Sequence, residues 1–307
     1  MIVRPKLHWL RLLLVWHGSV LPNILRRLVL MLAIAVLAVA SRTRFQQLGI
    51  HLSLAPFSLL GIALAIFLGF RNSLCNERYW EARKLWGGLL TTCRSMLRQA
   101  QSLTGRRPDD PEVASFTARL IALAYALKHQ LRATSYEAEL ARLLPAELAT
   151  RLASAHYPCV LLLRELADWL SRQHRDGRLS DISRQSIDTN LNRLSEIIGG
   201  CERIAGTPIP YAYSVLLHRT VYLYCLLLPF GLVGDIGLLT PLISVFISYT
   251  FMALDAIAGE LEEPFGIEPN DLPLDALCLT IERSLLEMND VADLPAPMQP
   301  NRYHILS

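Results

Sequence analysis

Residues 55–73 read APFSLLGIALAIFLGFRNS, and RYWEARKLW follows at 78–86. The first stretch is long and apolar enough for a bilayer; the second is charged and aromatic. Pro56 is tolerated in a first helical turn and the next proline is Pro108, so nothing between them forces a break. The pattern predicts one helix from Ala55 to about Arg98. About 40 residues at the α-helical rise give roughly 60 Å, twice a hydrocarbon core of roughly 30 Å. Such a helix crosses the membrane and continues into water.

Two stripes lie side by side on its apolar part. Gly61, Ala65 and Gly69 repeat every four residues and form a small face for close helix packing. Ile62, Ile66 and Phe70 repeat at the same spacing one position on, so they stack on the adjacent face. If several copies met around an axis, the small stripe would let them approach and the large stripe would form narrow apolar rings, which can gate by dewetting. The alternative on the stripes alone is lipid-facing Ile and Phe on a helix packed through Gly and Ala.

The 307 residues are 52% apolar, with mean hydropathy +0.31, and the apolar residues are gathered into long runs. That composition fits a membrane protein with a sizeable aqueous part. A net charge of +3 without a concentrated patch gives no case for nucleic acid. The six cysteines form no CxxC pair and sit in apolar or helical contexts, which predicts reduced packing residues. Arg4, Lys6, Arg11, Arg26 and Arg27 all precede the first acidic residue, Glu77. This asymmetry predicts a cytosolic N-terminus.

In chain order, 1–23 predicts an aromatic, basic interfacial segment, and 24–70 the first two membrane-spanning helices. The block 71–207 contains amphipathic helical repeats but no further span, and predicts a cytosolic helical domain. Within it IALAYAL, at 121–127, reads as buried core, and Ser180 as the N-cap of the last helix. Two more spans follow in 208–258, joined by a very short outer turn at Gly234–Gly237. Residues 259–289 predict a cytosolic acidic turn and helix, and 290–307 a disordered tail or an extended segment packed on a neighbour. Both termini then lie in the cytosol. The fold class expected is all-α, a polytopic membrane protein with four spans and a cytosolic helical domain.

Chemistry-bearing groups are sparse. Glu260, Glu262, Glu263, Glu268, Asp271 and Asp275 fall within sixteen residues around a Pro-Phe-Gly turn. Carboxylates gathered by a turn can hold a hard cation such as calcium; a solvated acidic surface is the alternative. The eight histidines make no HExxH, and no GxSxG nucleophile elbow is present. No catalytic constellation supports an enzyme.

The run GIHLSLAPFSLLGIALAIFLGFRNS with ERYWEARKLWG resembles the second-helix region of the bestrophins, in particular their bacterial branch. LKHQLR, GRLSDI, GGCERIAGTPIPYAYSVLLHRTVYLYCLLLPF, TPLISVFISYTF and ELEEPFGIEPNDLPLD extend the resemblance to about residue 289. It implies a homopentameric channel of the bacterial inner membrane that passes small ions along its five-fold axis. On it, Ile62, Ile66 and Phe70 correspond to a hydrophobic neck, and Ile182 to an apolar constriction at the cytosolic exit. It also implies a preference for monovalent cations, with an anion-selective pore and a non-conducting scaffold as alternatives. In the family's calcium clasp an acidic run follows PFG. Here Glu268 and Asp271 match two of its positions, Pro269 and Asn270 interrupt it, and Glu263 replaces an amide. The resemblance therefore implies no required cofactor, and leaves Glu268 and Asp271 as the candidate ligands for calcium or another divalent cation.

Overall fold

The computed structural model describes residues 1–5, 8–12, 15–47 and 53–307. The described residues form twelve α-helices: α1 Trp9–Leu12, α2 Leu21–Ala40, α3 Arg42–Gln47, α4 Leu54–Thr104, α5 Pro111–Arg132, α6 Glu137–Leu143, α7 Ala146–Ala153, α8 Pro158–Arg175, α9 Asp181–Gly206, α10 Tyr211–Ile236, α11 Thr240–Glu262 and α12 Leu274–Met288. The long second helix runs further than the sequence pattern indicates, 51 residues, or about 76 Å at the α-helical rise. Of the interfacial segment expected over 1–23, only the four residues of α1 and the start of α2 are helical among those described.

The chain divides into two compact units. One comprises Arg4–Tyr79 and Pro208–Glu263. Three stretches that lie in it wholly or by their N-terminal part are long and apolar enough to cross a membrane: Leu21–Ala40, the helix Leu54–Thr104, and Tyr211–Glu262. The third is α10 and α11 joined through the 3-10 turn Gly237–Leu239. At 26 and 23 residues each has the length to cross alone. In α2 the buried residues Ile24, Leu28, Met31, Ala35 and Ala38 recur at three and four, the spacing of one helix face. In this unit α2 packs extensively on α11. Ala35 and Ala38 on α2 and Ser244 and Ser248 on α11 are fully buried, and small side chains let helix backbones approach closely. Leu64 and Leu68 of α4 join the same core, with Val221, Tyr224, Leu228 and Met252. Pro229 is accommodated inside α10, toward its far end.

The other unit comprises Met1–Val3, Trp80–Thr207 and Pro264–Ser307. Its axis is α5, buried without interruption from Leu120 to Lys128, as the apolar run there predicts. Asp110 caps it by accepting from the Glu112 amide at 2.8 Å. Phe116 stacks on Trp169 of α8 at 4.4 Å between centroids. Each such fully buried aromatic contributes about 1.5–3 kcal/mol by leaving water. Two ion-pair networks tie α5 to α12. Asp275 accepts from Lys128 at 2.9 Å and Arg132 at 2.7 Å. Glu282, 2% exposed, accepts from Tyr125 at 2.7 Å and from both terminal nitrogens of Arg142.

Of the two forms expected for the tail, disorder or extended packing, the structure has the extended one. Ile305 pairs antiparallel with Ile2, the Val3 amide donates to His304 at 2.8 Å, and the Ala276 amide donates to Ser307 at 3.0 Å. Its three prolines remove amide donors and helical periodicity, which is why it reads as featureless. Leu306 exchanges hydrogen bonds with Met1, and Ser307 and Pro295 accept from α12.

Candidate functional site

On α4 the two faces of the apolar stretch have opposite fates. Leu64, Leu68, Arg71 and Cys75 are buried, while Ile62, Ile66 and Phe70 are 61%, 53% and 61% exposed. Three large apolar side chains therefore form a continuous stripe that the described residues do not cover. Ala65 and Gly69 lie beside it, also exposed. The small stripe splits. A β-carbon at Gly61 would sit 2.7 Å from the Tyr224 hydroxyl, so Gly61 packs against α10, whereas none of the described residues lies within 4 Å of one at Gly69.

What holds α4 in this rotation is a polar lock that the sequence reading did not pick out. Arg71 donates to Asp255 of α11 at 2.5 Å and to Glu262 at 3.3 Å. His218 of α10 meets the other Asp255 oxygen at 2.9 Å, and Asn72 donates to the Leu254 carbonyl at 3.2 Å. Buried ionised groups must be paired to be tolerated, so Arg71 and Asp255 each require the other. With Arg71 turned inward, Phe70 and Ile66 on the neighbouring face turn outward. The legible signal was Asp255, the first acid of α11, set within the apolar run FMALDAIAG; an intramembrane ionisable residue demands a partner.

Ile182, in the first turn of α9, is 83% exposed. The α9 cap is the expected one, with Ser180 Oγ accepting from the Ser183 amide at 3.2 Å. Leu179, three residues before Ile182, is buried, which anchors the turn on one side and leaves Ile182 projecting on the other.

The acidic run does not gather as a ligand set. Glu262 faces Arg71, and Asp275 faces Lys128 and Arg132. Asp271 is 3% exposed, and its Oδ2 accepts from the Glu268 amide at 2.7 Å, closing the turn. The Glu268 side chain is exposed. Among the described residues no three His, Cys, Asp or Glu side chains come together as a metal site. Glu268 and Asp271 thus share a turn, with one carboxylate engaged by backbone.

Known proteins match this arrangement along its length. The family profile described as "Bacterial/Fungal Bestrophin protein" matches residues 1–287. The "Voltage-dependent anion channel-forming protein YneE" of Escherichia coli K12 is 49% identical over 307 residues, all of both chains. Its Salmonella typhi counterpart of the same name is 48% identical over the same full length. A solved bacterial bestrophin homologue from Klebsiella pneumoniae superposes with a TM-score of 0.84 at 47% identity, covering 88% of this chain and 100% of that one. Helices that span a membrane, an uncovered apolar stripe and relatives of this kind point to permeation and not to catalysis. The chain is a membrane ion channel of the bestrophin family, in its bacterial and fungal branch.

Proposed function

We propose that five copies surround an axis in the inner membrane and pass small monovalent ions passively. Ile62, Ile66 and Phe70 form the neck, and Ile182 forms a second apolar ring at the cytosolic end. The observation that carries this reading is the exposed stripe on a membrane-spanning helix whose rotation is fixed by Arg71 and Asp255. Ala65 and Gly69, open beside it, supply the close approach that five helices need. Isoleucine and phenylalanine rings offer no ligand to a dehydrated ion, so an ion crossing there keeps part of its water shell. The sign of the permeant ion is then set by charge elsewhere along the path.

The names of the relatives support an anion such as chloride. A second reading, the monovalent cation implied by resemblance to the bacterial branch, is favoured by Glu77. That residue follows Phe70 by seven positions, which returns it to within about 20° of the same helix face. It is exposed and has no partner among the described residues. Five such carboxylates beside the neck would concentrate cations and repel anions. Reversal potentials of the purified protein in a KCl gradient decide: a shift toward the chloride equilibrium potential supports the first reading. A shift toward that of potassium, reduced in E77Q, supports the second. No current from a correctly assembled particle would leave a scaffold and refute the channel. Glu268 and Asp271 remain a proposal for a divalent site; flux that is unchanged by chelator and by E268Q/D271N together would remove it.

A further inference from the structure

The turn that delivers Ile182 is closed by a histidine whose two ring nitrogens face different partners. His174, in the last turn of α8, has Nδ1 at 2.9 Å from the Leu179 carbonyl and Nε2 at 3.5 Å from Asp181 Oδ1. A carbonyl oxygen can only accept, so Nδ1 carries a proton in this arrangement. In the neutral imidazole Nε2 is then a lone pair facing a carboxylate, and no bond forms there. Adding a proton to Nε2 turns the same contact into a charge-assisted hydrogen bond. We propose that His174 is a proton-operated positioning residue for the apolar constriction. Protonated, it ties α8 at once to the Leu179 carbonyl and to Asp181, and so holds Ile182, the next residue, at its place on the axis. Neutral, it releases Asp181 and leaves the turn fixed on one side only.

The rest of the turn gives this link leverage. Gly177 sits at φ +71°, with its amide on the His174 carbonyl at 3.0 Å. Leu179 is buried, while Asp181 and Ile182 project into solvent, and among the described residues the first turn of α9 makes no other side-chain hydrogen bond or ion pair to α8, on which the later turns pack. Other charges around the turn pair elsewhere or lie on it. From the approach to α5, Arg106 bonds Asp110 and Gln173, and Glu112 accepts from Gln173. Arg172, Arg175, Asp176 and Arg178 belong to α8 and the turn itself, and α9 contributes Asp181. Imidazole is the side chain that ordinarily changes charge between about pH 5 and 8.

This inference rests on the reading of Ile182 as a constriction, and the test separates the two. Conductance is recorded in planar bilayers at pH 7.5 and 5.5 for the wild type, H174N and D181N. Asparagine keeps a donor for Leu179 and lacks Nε2; D181N keeps the His174–Leu179 bond and loses the anion. Amide exchange over 177–183, corrected for the intrinsic pH dependence, is measured on the same samples. We expect acid to lower wild-type conductance at least twofold and to raise protection of these amides, with both responses lost in both variants. An acid response that persists unchanged in H174N and D181N, or a wild type without one, overturns the proposal. I182A tests the constriction independently. If I182A conducts like the wild type, the constriction reading fails, and the link is judged on amide protection alone.

Discussion

At the scale of single residues, the glycines of α4 separate packing within one chain from packing between chains. Gly61 touches Tyr224 of its own chain, whereas Gly69 faces open space. G61L therefore has to displace a buried tyrosine, and the isolated chain is expected to lose thermal stability. G69L is expected to leave the chain folded and to disperse the oligomer, read as a fall in particle mass by light scattering in mild detergent. An intact pentamer in G69L would place that stripe against lipid. The spacing of Gly61, Ala65 and Gly69 is plain in the sequence, but a four-residue period cannot say which glycine meets a neighbour in the same chain. Arg71 was hidden for a related reason: it ends an apolar run, where a snorkelling arginine and a buried one look alike. Only the matching Asp255, 184 positions away, distinguishes them.

At the scale of elements, the helices themselves were legible because apolar residues recur at three and four and the caps are chemically marked, as at Asp110 and Ser180. What joins them was not, since ion pairs such as Lys128–Asp275 and Arg142–Glu282 connect segments about 140 residues apart or more. Burial alone would raise the Asp275 and Glu282 carboxyls, but hydrogen bonds from Lys128 and Arg132, and from Arg142 and Tyr125, hold both below their ordinary values. A carboxyl depressed in the fold stabilises it above its unfolded pKa and stops doing so as pH falls through the folded value. The α5–α6–α12 packing is thus expected to be insensitive to pH above about 5 and to weaken progressively below about 4. E282A leaves the Tyr125 hydroxyl without its buried acceptor, while the half-exposed Arg142 guanidinium stays in solvent, and should cost about 1–3 kcal/mol. Thermal unfolding followed by circular dichroism between pH 3 and 7 checks both; a melting temperature that is flat across that range would contradict the account. Burial pushes the Cys93 and Cys201 thiols up to about 12, so both are expected to react slowly with maleimide until the protein unfolds.

At the scale of the whole molecule, the basic N-terminal region and the four spans support an orientation with the helical unit in the cytosol. All six native cysteines are buried, and a cysteine-free background allows single probes at exposed positions. An impermeant maleimide on intact cells is expected to label L238C, in the Gly237–Leu239 turn, and to spare D109C. The reverse pattern would invert the topology. On the proposed reading the channel is formed by five copies, with Ile66 lining the narrowest apolar path. Ile66→Ala removes three heavy atoms from each subunit, so the ring widens and holds water more readily, while the Arg71–Asp255 lock that orients α4 is untouched. Planar-bilayer recording of purified wild type and I66A in symmetric salt is the direct measurement. Single-channel conductance is expected to rise in I66A with little change in reversal potential in asymmetric salt; an unchanged conductance in a normally assembled I66A oligomer would remove Ile66 from the constriction.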